Sequence, residues 1–494
     1  MGPSGAPQVV LYNPQSVGGG KRVLPLSLLA LGARLEGRVE YAIVDGNDDG
    51  DALSSLREQC RRGARILGVT VMPGPQLASA VPHTASLKRE FPELTVVWGG
   101  YFPTQHFDAC LRAPYVDYVV RGHGEESLAA LVERLLRGEH PRGVPGVVSR
   151  EDREKPSGIA PVPNPDELPP FPYHRLKVER YLRRTFLGAR TLGHHSSYGC
   201  PFVCNFCAVV NLVEGRWRAE SPSRVEGVAR LYRERWRVDA LEFYDNNFFT
   251  SEARTAEIAE RIRGLGLSWW GEGRVDTLLK YADETWRLMR DSGLRMVFLG
   301  AESGSAESLA RMDKGGLLTP EQTLELAARM RGYGVVPELS FVLGVPPDPE
   351  ADVHRTIEFI RRVKEVNPDS EIVMYHYTPV PLAGELFTAA KAGGFRFPET
   401  LEEWASDRWQ EVAKRHSAHM PWLGGRLRRR ILDFERVLNA YYPTTTDLRL
   451  VGARRLLLRA ASAWRYRLRL YGQPLELAAL QRVFRYQRPE TSGF

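Results

Sequence analysis

Nine prolines stand between positions 141 and 172, and on either side of them the chain alternates short apolar strands with helical stretches. A proline-rich run with little periodicity supports neither a helix interior nor a central strand. It reads as an extended linker lying along a surface. Two separate αβ units are therefore expected, and 494 residues are enough for two cores and a further region.

Before the linker, apolar segments at 9–12, 41–44, 66–71, 95–98 and 117–120 alternate with helical stretches such as 24–35, 76–90 and 125–137. This alternation predicts a parallel, doubly wound sheet, whose ligands bind at the carboxyl ends of the strands. After the linker, strands are predicted to end at 196–197, 241–244, 269–271, 296–299, 339–342 and 372–375. The expected organisation is α/β: a Rossmann-like domain over 1–140, the linker over 141–175, a second αβ domain over 176–398 and an Arg-rich helical region over 399–494.

The chemistry is concentrated in Tyr198-Gly199-Cys200-Pro201-Phe202-Val203-Cys204-Asn205-Phe206-Cys207. Three thiolates spaced C-x3-C-x2-C can hold three corners of a 4Fe–4S cube and leave one iron open to a small molecule. A structural zinc knob needs four ligands. His194 or His195 would have to supply the fourth, and no second Cys or His pair follows downstream. Only five cysteines occur, which is no disulfide framework and fits a reducing compartment. Cys60 and Cys110 read as small apolar residues.

The triplet, with Pro201 and Phe206, resembles the signature of radical S-adenosylmethionine (SAM) enzymes, in which SAM chelates the open iron. The glycine runs upstream extend the resemblance. Gly99, Gly100 and Pro103 match the Gly-Gly-x-x-Pro loop of the cobalamin-binding domain that precedes many of these enzymes. Gly122, Gly124 and Glu125 match its second loop. Corrinoid proteins that bind cobalt through histidine carry Asp-x-His-x-x-Gly after the first strand. Here Asn13-Pro14-Gln15 follows that strand, and the stretch 45–50 has Asn47 at the histidine position and follows the second. A histidine from that motif is therefore not expected below the cobalt, and 45–50 reads as a polar turn.

The resemblance implies a partial (βα)6 radical SAM barrel after a cobalamin-binding domain, with 4Fe–4S, SAM and cobalamin as cofactors. It places SAM contacts at Asp245, at Arg274, whose planar fork would pair with the SAM carboxylate, and at Glu302 and Ser303 of Gly300-Ala301-Glu302-Ser303-Gly304-Ser305. Each also has a plain structural reading, as a capped turn, a charge or a strand end. Tyr375, His376 and Tyr377 at the sixth strand are candidates to face the substrate, with alternation putting both tyrosines on one side. The implied activity is methylation of an unactivated carbon: a 5′-deoxyadenosyl radical activates the substrate and methylcobalamin delivers the methyl group. The alternatives are cyclisation or rearrangement with the same cofactors, or a non-catalytic metal- or corrinoid-binding sensor.

The rest of the chain bounds partners and location. No apolar run approaches the roughly 18–20 residues that span a bilayer, and no export signal opens the sequence, so a cytoplasmic protein served by flavodoxin or ferredoxin is expected. Net charge is +7, yet 421–494 holds 15 Arg, no Lys and five acids, a local +10 that leaves −3 upstream. This tail reads as solvated amphipathic helices, or as a face for an anionic substrate, a membrane surface or a partner. Its aromatics are scattered, and no nucleic-acid partner is expected.

Overall fold

The computed structural model describes residues 5–16, 22–312, 318–412, 419–448 and 450–484. The first sheet contains β1 (Val9–Asn13), β2 (Tyr41–Asp45), β3 (Ile66–Thr70), β4 (Thr95–Gly99), β5 (Tyr118–Val120) and β6 (Val147–Ser149), in the order β2-β1-β3-β4-β5-β6. The first five are parallel, and β6 joins antiparallel to β5 from within the proline-rich stretch. Every residue of β1 is buried, as a strand covered by helices on both faces requires. Strand order reverses between β1 and β3, and a doubly wound sheet opens its ligand crevice at that point.

The second domain begins with β7 (Thr191–His194). A small antiparallel hairpin follows, β8 (Ser197–Gly199) and β9 (Trp217–Ala219), and then β10 (Ala240–Phe243), β11 (Ser268–Arg274), β12 (Leu294–Glu302), β13 (Val336–Leu343) and β14 (Glu371–His376). The six main strands are all parallel in the order β14-β13-β12-β11-β10-β7, a partial barrel open between its ends. Where the sequence places a first strand ending at 196–197, β7 stops at His194 and the chain turns into the hairpin that carries the cysteines.

Helices that back the barrel start at strong caps. Ser221 accepts from the Arg224 N–H ahead of helix Pro222–Trp236, and Thr319 and Gln322 form a capping box at helix Pro320–Tyr333. The outer face of the sheet packs Trp269, Leu241 and Val297 on Tyr232, Ile258 and Trp286. The concave face is floored by Ala240, Trp270 and Met296. Beside this floor Arg183 donates to Glu242 and to the Tyr244 hydroxyl, and Trp270 Nε1 donates to Glu338 Oε2 at 3.1 Å. The barrel is thus filled at its base and can take ligand only at its carboxyl end.

The linker binds both domains: on the barrel side the Tyr173 hydroxyl meets that of Tyr232 at 2.9 Å and Asp166 Oδ1 accepts from the Ser221 N–H at 2.9 Å, and the linker and the residues just after it also reach the first domain. Arg175 forks onto Glu36 at 2.9 and 3.1 Å, Tyr181 donates to Asp45 Oδ2 at 2.8 Å, and Ala160 bridges Gly122. The C-terminal region divides into two parts. Helix Leu401–Ala405 returns to the first domain, where Leu401 and Trp404 join its core and Glu402 accepts from Tyr115 at 2.7 Å. Helices Gly425–Tyr441, Ala453–Leu468 and Leu475–Phe484 lie on the barrel side.

The first of these seams contains His106, ringed by Phe102, Phe397 and Trp404 at centroid distances of 5.1, 5.0 and 4.6 Å. Burial among aromatics lowers its pKa to about 4. Because the folded-state value lies below the unfolded one of about 6.5, the unfolded chain binds more protons as pH falls. The stability of the neutral state is complete above that value and declines towards pH 4. Urea unfolding at pH 7 and pH 4.5 is expected to show the wild type losing about 2 kcal/mol more than a His106→Phe variant. Parallel losses would show that His106 is not the titrating group.

Candidate functional site

The cysteine loop runs from β8 to β9 over the mouth of the barrel. Gly199 has φ +81°, and a Cβ there would lie 2.2 Å from the Arg216 carbonyl oxygen, so only glycine turns the chain into Cys200. The loop is pinned on both sides of the barrel. Asn205 Nδ2 donates to the Arg311 carbonyl at 2.6 Å, the Asn205 N–H to that of Met312 at 3.2 Å, and Asn211 Nδ2 to that of Pro381 at 3.2 Å.

Cys204 is buried, while Cys200 and Cys207 are half-buried. Burial pushes the Cys207 thiol up to about 12 and raises Cys200 as well. A bound metal centre would deprotonate such thiols. A zinc knob would gather four ligands within about 2.3 Å of one point. Among the described residues no three His, Cys, Asp or Glu side chains converge on a single ion. The two proposed fourth ligands face elsewhere. His194 Nε2 pairs with Glu220 at 2.8 Å, and His195 packs edge-on to Tyr244. The donor set fits a cube whose sulfurs sit on separate irons better than a tetrahedral ion.

Asp245 stands at the top of β10 and is 1% exposed. Its carboxylate accepts from the Ser196 N–H at 2.6 Å and from the Ser196 and Ser197 hydroxyls, each at 2.7 Å. Asp245 therefore braces the strand leading into the cysteine loop, where the sequence points to the SAM amine. Arg274 is likewise held by neighbours within the protein. Its fork closes on Asp276, with Nε–Oδ1 and Nη2–Oδ2 both 3.0 Å. Nη1 reaches Cys204 Sγ at 3.3 Å, and the guanidinium lies 3.8 Å over the Phe202 ring. A carboxylate two residues away competes with any ligand for that planar edge.

Glu302 ends β12 at φ +62°, in the left-handed region, next to a register shift. Such a conformation is uncommon outside glycine and concentrates at functional sites. It holds the buried carboxylate within electrostatic reach of Cys207. Ser303 donates to Asp352 Oδ1 at 3.2 Å. Asp352 also accepts from Ser308 Oγ at 2.7 Å and from the Gly344 and Val345 N–H groups at 2.9 and 3.3 Å, tying the tops of β12 and β13 together.

The sixth-strand candidates separate. Tyr375 pairs with Val342 and shares the concave face with Ser340 and Glu338. His376 pairs with Leu343 on the opposite, helix-packed face and is buried. Tyr377 does not alternate back, because β14 ends at His376. It packs in the outer core against Trp422, at 5.9 Å between rings.

At the first domain the two glycine loops are joined by Thr104, whose hydroxyl donates to the Gly100 carbonyl at 2.7 Å and accepts from the Gly122 N–H at 2.9 Å. Gly100, at φ +95°, bends the first loop, and Pro103 is buried in the short helix Tyr101–Gln105 that follows it. Gly99 closes β4, and Gly124 precedes helix Glu125–Leu136. Burial opposes ionisation of Glu125, yet His123, 3.7 Å away, holds its carboxyl below the usual range. Both loops face the cysteine loop. Tyr101 lies within electrostatic reach of Cys207, and the His123 ring meets Tyr198 at 5.1 Å.

Sequence reasoning passes over Thr104, Asn247, Glu272 and Asp352. Asn247 borders Cys200, is 1% exposed, and its carboxamide oxygen has no hydrogen-bond partner among the described residues. A buried carboxamide oxygen without a partner beside three thiols is an unmet demand for a polar ligand. Glu272 shares the lumen face of β11 with Trp270 and Arg274. Burial, with the charges of Glu338 and Asp245, pushes its carboxyl up to about 8. The period-2 pattern of β11 and the Asp-Asn-Asn run were the available signals. Thr104 and Asp352 left none, since their partners lie on other strands.

Comparison with known proteins agrees with this geometry. Residues 195–360 match the model of the radical SAM superfamily, and residues 20–132 match that of the B12 binding domain. The chain is 27% identical over 370 residues to an uncharacterized methyltransferase of Pyrococcus horikoshii, covering 72% of this chain and 78% of that protein. It is 26% identical over 300 residues to an anaerobic magnesium-protoporphyrin IX monomethyl ester cyclase of Synechocystis, covering 60% of this chain and 58% of that one. Its fold is shared with the radical SAM methyltransferase TsrM of Kitasatospora setae, solved with cobalamin and a [4Fe-4S] cluster. That match has a TM-score of 0.61 and 19% identity over 78% of this chain and 74% of the other.

Proposed function

Because the chain belongs to the radical SAM enzymes that carry a B12-binding domain, we propose that it methylates an unactivated carbon of its substrate in the space between the glycine loops and the barrel mouth. The observation that carries this reading is the facing of the glycine loops and the cysteine loop, with the His123 ring against Tyr198 at 5.1 Å and Tyr101 within electrostatic reach of Cys207. When bound, the cluster with SAM supplies one-electron activation and cobalamin supplies a transferable methyl group.

The protein's part is to hold and orient. Cys200, Cys204 and Cys207 take three irons and leave the fourth for SAM. Asn247 and Glu302 present polar groups at the cluster loop, and Arg274 sets the electrostatics of Cys204 through its bond to that sulfur. Gly99, Gly100, Pro103, Gly122, Gly124 and Glu125 form the corrin-facing surface, with Thr104 keeping the two loops in register. Tyr375 is the sixth-strand side chain on the concave side, and there it borders the substrate space. We place the enzyme in the cytoplasm, with flavodoxin or ferredoxin as electron donor and a substrate that is anionic or membrane-associated.

The test is mass spectrometry of small products after anaerobic reconstitution with iron, sulfide, cobalamin, SAM and a strong reductant. S-Adenosylhomocysteine that forms only with cobalamin is expected. 5′-Deoxyadenosine without it, from a protein loaded with both cofactors, would replace methyl transfer by cyclisation or rearrangement.

A further inference from the structure

Twelve large hydrophobic side chains stand exposed among the described residues, and nine of them lie between positions 448 and 483. Scattered exposed leucines need no explanation, but a concentration of this kind marks an interaction surface. At its centre is helix Ala453–Leu468, which has two opposite faces, each with its own chemistry. The inner face holds Leu458, Ser462 and Tyr466, all buried. Tyr466 stacks on Tyr441 at 4.6 Å, lies under the Arg361 guanidinium at 4.4 Å and accepts its hydrogen bond through the backbone carbonyl at 2.8 Å. That face explains why the helix is attached to the barrel.

The outer face does not serve the fold. Leu457, Trp464 and Leu468 recur at the helical spacing of seven and four, with Leu456 alongside, and they are 48–68% exposed. Leu475 and Val483 of the next helix are still more open, at 74% and 73%. Arginines border this strip. Between positions 451 and 483 there are seven Arg, no Lys and one acid, Glu476. Arg465 is paired with Glu476 and Arg469 with Glu358. Arg454, Arg459 and Arg467 are exposed and have no acidic partner among the described residues.

We propose that this face seats the protein on an anionic lipid bilayer, with the leucines and Trp464 entering the headgroup boundary and the arginines meeting lipid phosphates. An apolar strip edged by arginine, with a tryptophan on it, is the pattern of helices that lie in the membrane interface. Among the described residues no helix is long and apolar enough to cross a membrane, so the contact is peripheral. A second copy fits the same face poorly, because two-fold packing would set arginine against arginine. A nucleic acid would answer the arginines and leave the leucines in water. The inference is independent of the methyl-transfer reading, since it concerns attachment and not chemistry.

The test is co-sedimentation of the full chain with vesicles of phosphatidylcholine alone, or with about a third phosphatidylglycerol. Partitioning on the order of a hundredfold stronger onto the anionic vesicles is expected from the three unpaired arginines of helix Ala453–Leu468, and it should weaken as salt rises. Leu457→Glu and Leu468→Glu should each reduce partitioning by on the order of tenfold, with thermal melting unchanged because both side chains are exposed. Arg459→Gln should weaken binding to anionic vesicles only. The proposal is overturned by the absence of vesicle binding at low salt, or by binding that both Glu variants leave intact. A dimer in sedimentation equilibrium that Leu468→Glu dissociates, without vesicle binding, would assign the face to a second copy instead.

Discussion

Cys204→Ala is expected to abolish SAM cleavage and to lower iron and sulfide from about four each per chain to near background. Cys204 is the one buried thiol of the triplet, and its sulfur accepts from Arg274 at 3.3 Å. Alanine removes an iron ligand and leaves that N–H facing a gap. Cys60→Ala and Cys110→Ala are the controls. Both residues are buried far from the triplet and pack in the first domain's core, so iron content should not change. Burial raises both thiols, as expected of inert packing residues. Iron and sulfide analysis with anaerobic product assays reads the result. Full iron loading in Cys204→Ala, or stoichiometric zinc in the wild type, would remove the basis for the cluster assignment.

The second large effect is expected at Asp245, through the brace it gives the strand leading into the cysteine loop. Asp245→Ala strands the Ser196 N–H and two serine hydroxyls in a site where Asp245 itself is 1% exposed. An unsatisfied buried donor costs about 1–3 kcal/mol. Three of them predict a loss of about 3 kcal/mol or more in urea unfolding, less if water enters. Because Ser197 opens β8 three residues before Cys200, iron retention should fall as well. Asp245→Asn keeps an acceptor at the same place and should recover most of the stability. If Asp245→Ala unfolds like the wild type and holds its iron, the brace does not set the loop.

Much of this was legible along the chain because it is local. Buried parallel strands read as short apolar runs, and β1 and β10 are buried over their whole lengths. The cysteine spacing needs no tertiary information, since all three thiols lie on one loop. Gly100 was visible for the same reason, as part of a glycine pair at a strand end, and the structure gives it φ +95°.

The sequence was less informative where partners are distant. Asp245 carries a charge that suits SAM, and nothing near it in the sequence shows that Ser196 and Ser197 also bond to it. A side chain's partner is settled by which elements lie beside it, and composition is silent on that. Tyr377 illustrates the limit of a periodic rule: alternation holds only while the strand lasts, and β14 ends one residue earlier. The region beyond 399 showed its charge, but not that Trp404 would enter the first domain's core while Tyr466 docked on the barrel side.

The sequence by itself determined two parallel αβ units, the three-cysteine loop and the pair of glycine loops, because each follows from spacing within a few residues. Tertiary structure alone decided that these loops face one another, that Thr104 and Asp352 tie neighbouring strand tops together, and that one helix turns leucines and arginines outward together. Those outcomes depend on contacts between residues of different elements. Their geometry is fixed by which strands pair and which faces are buried, and no local pattern encodes either.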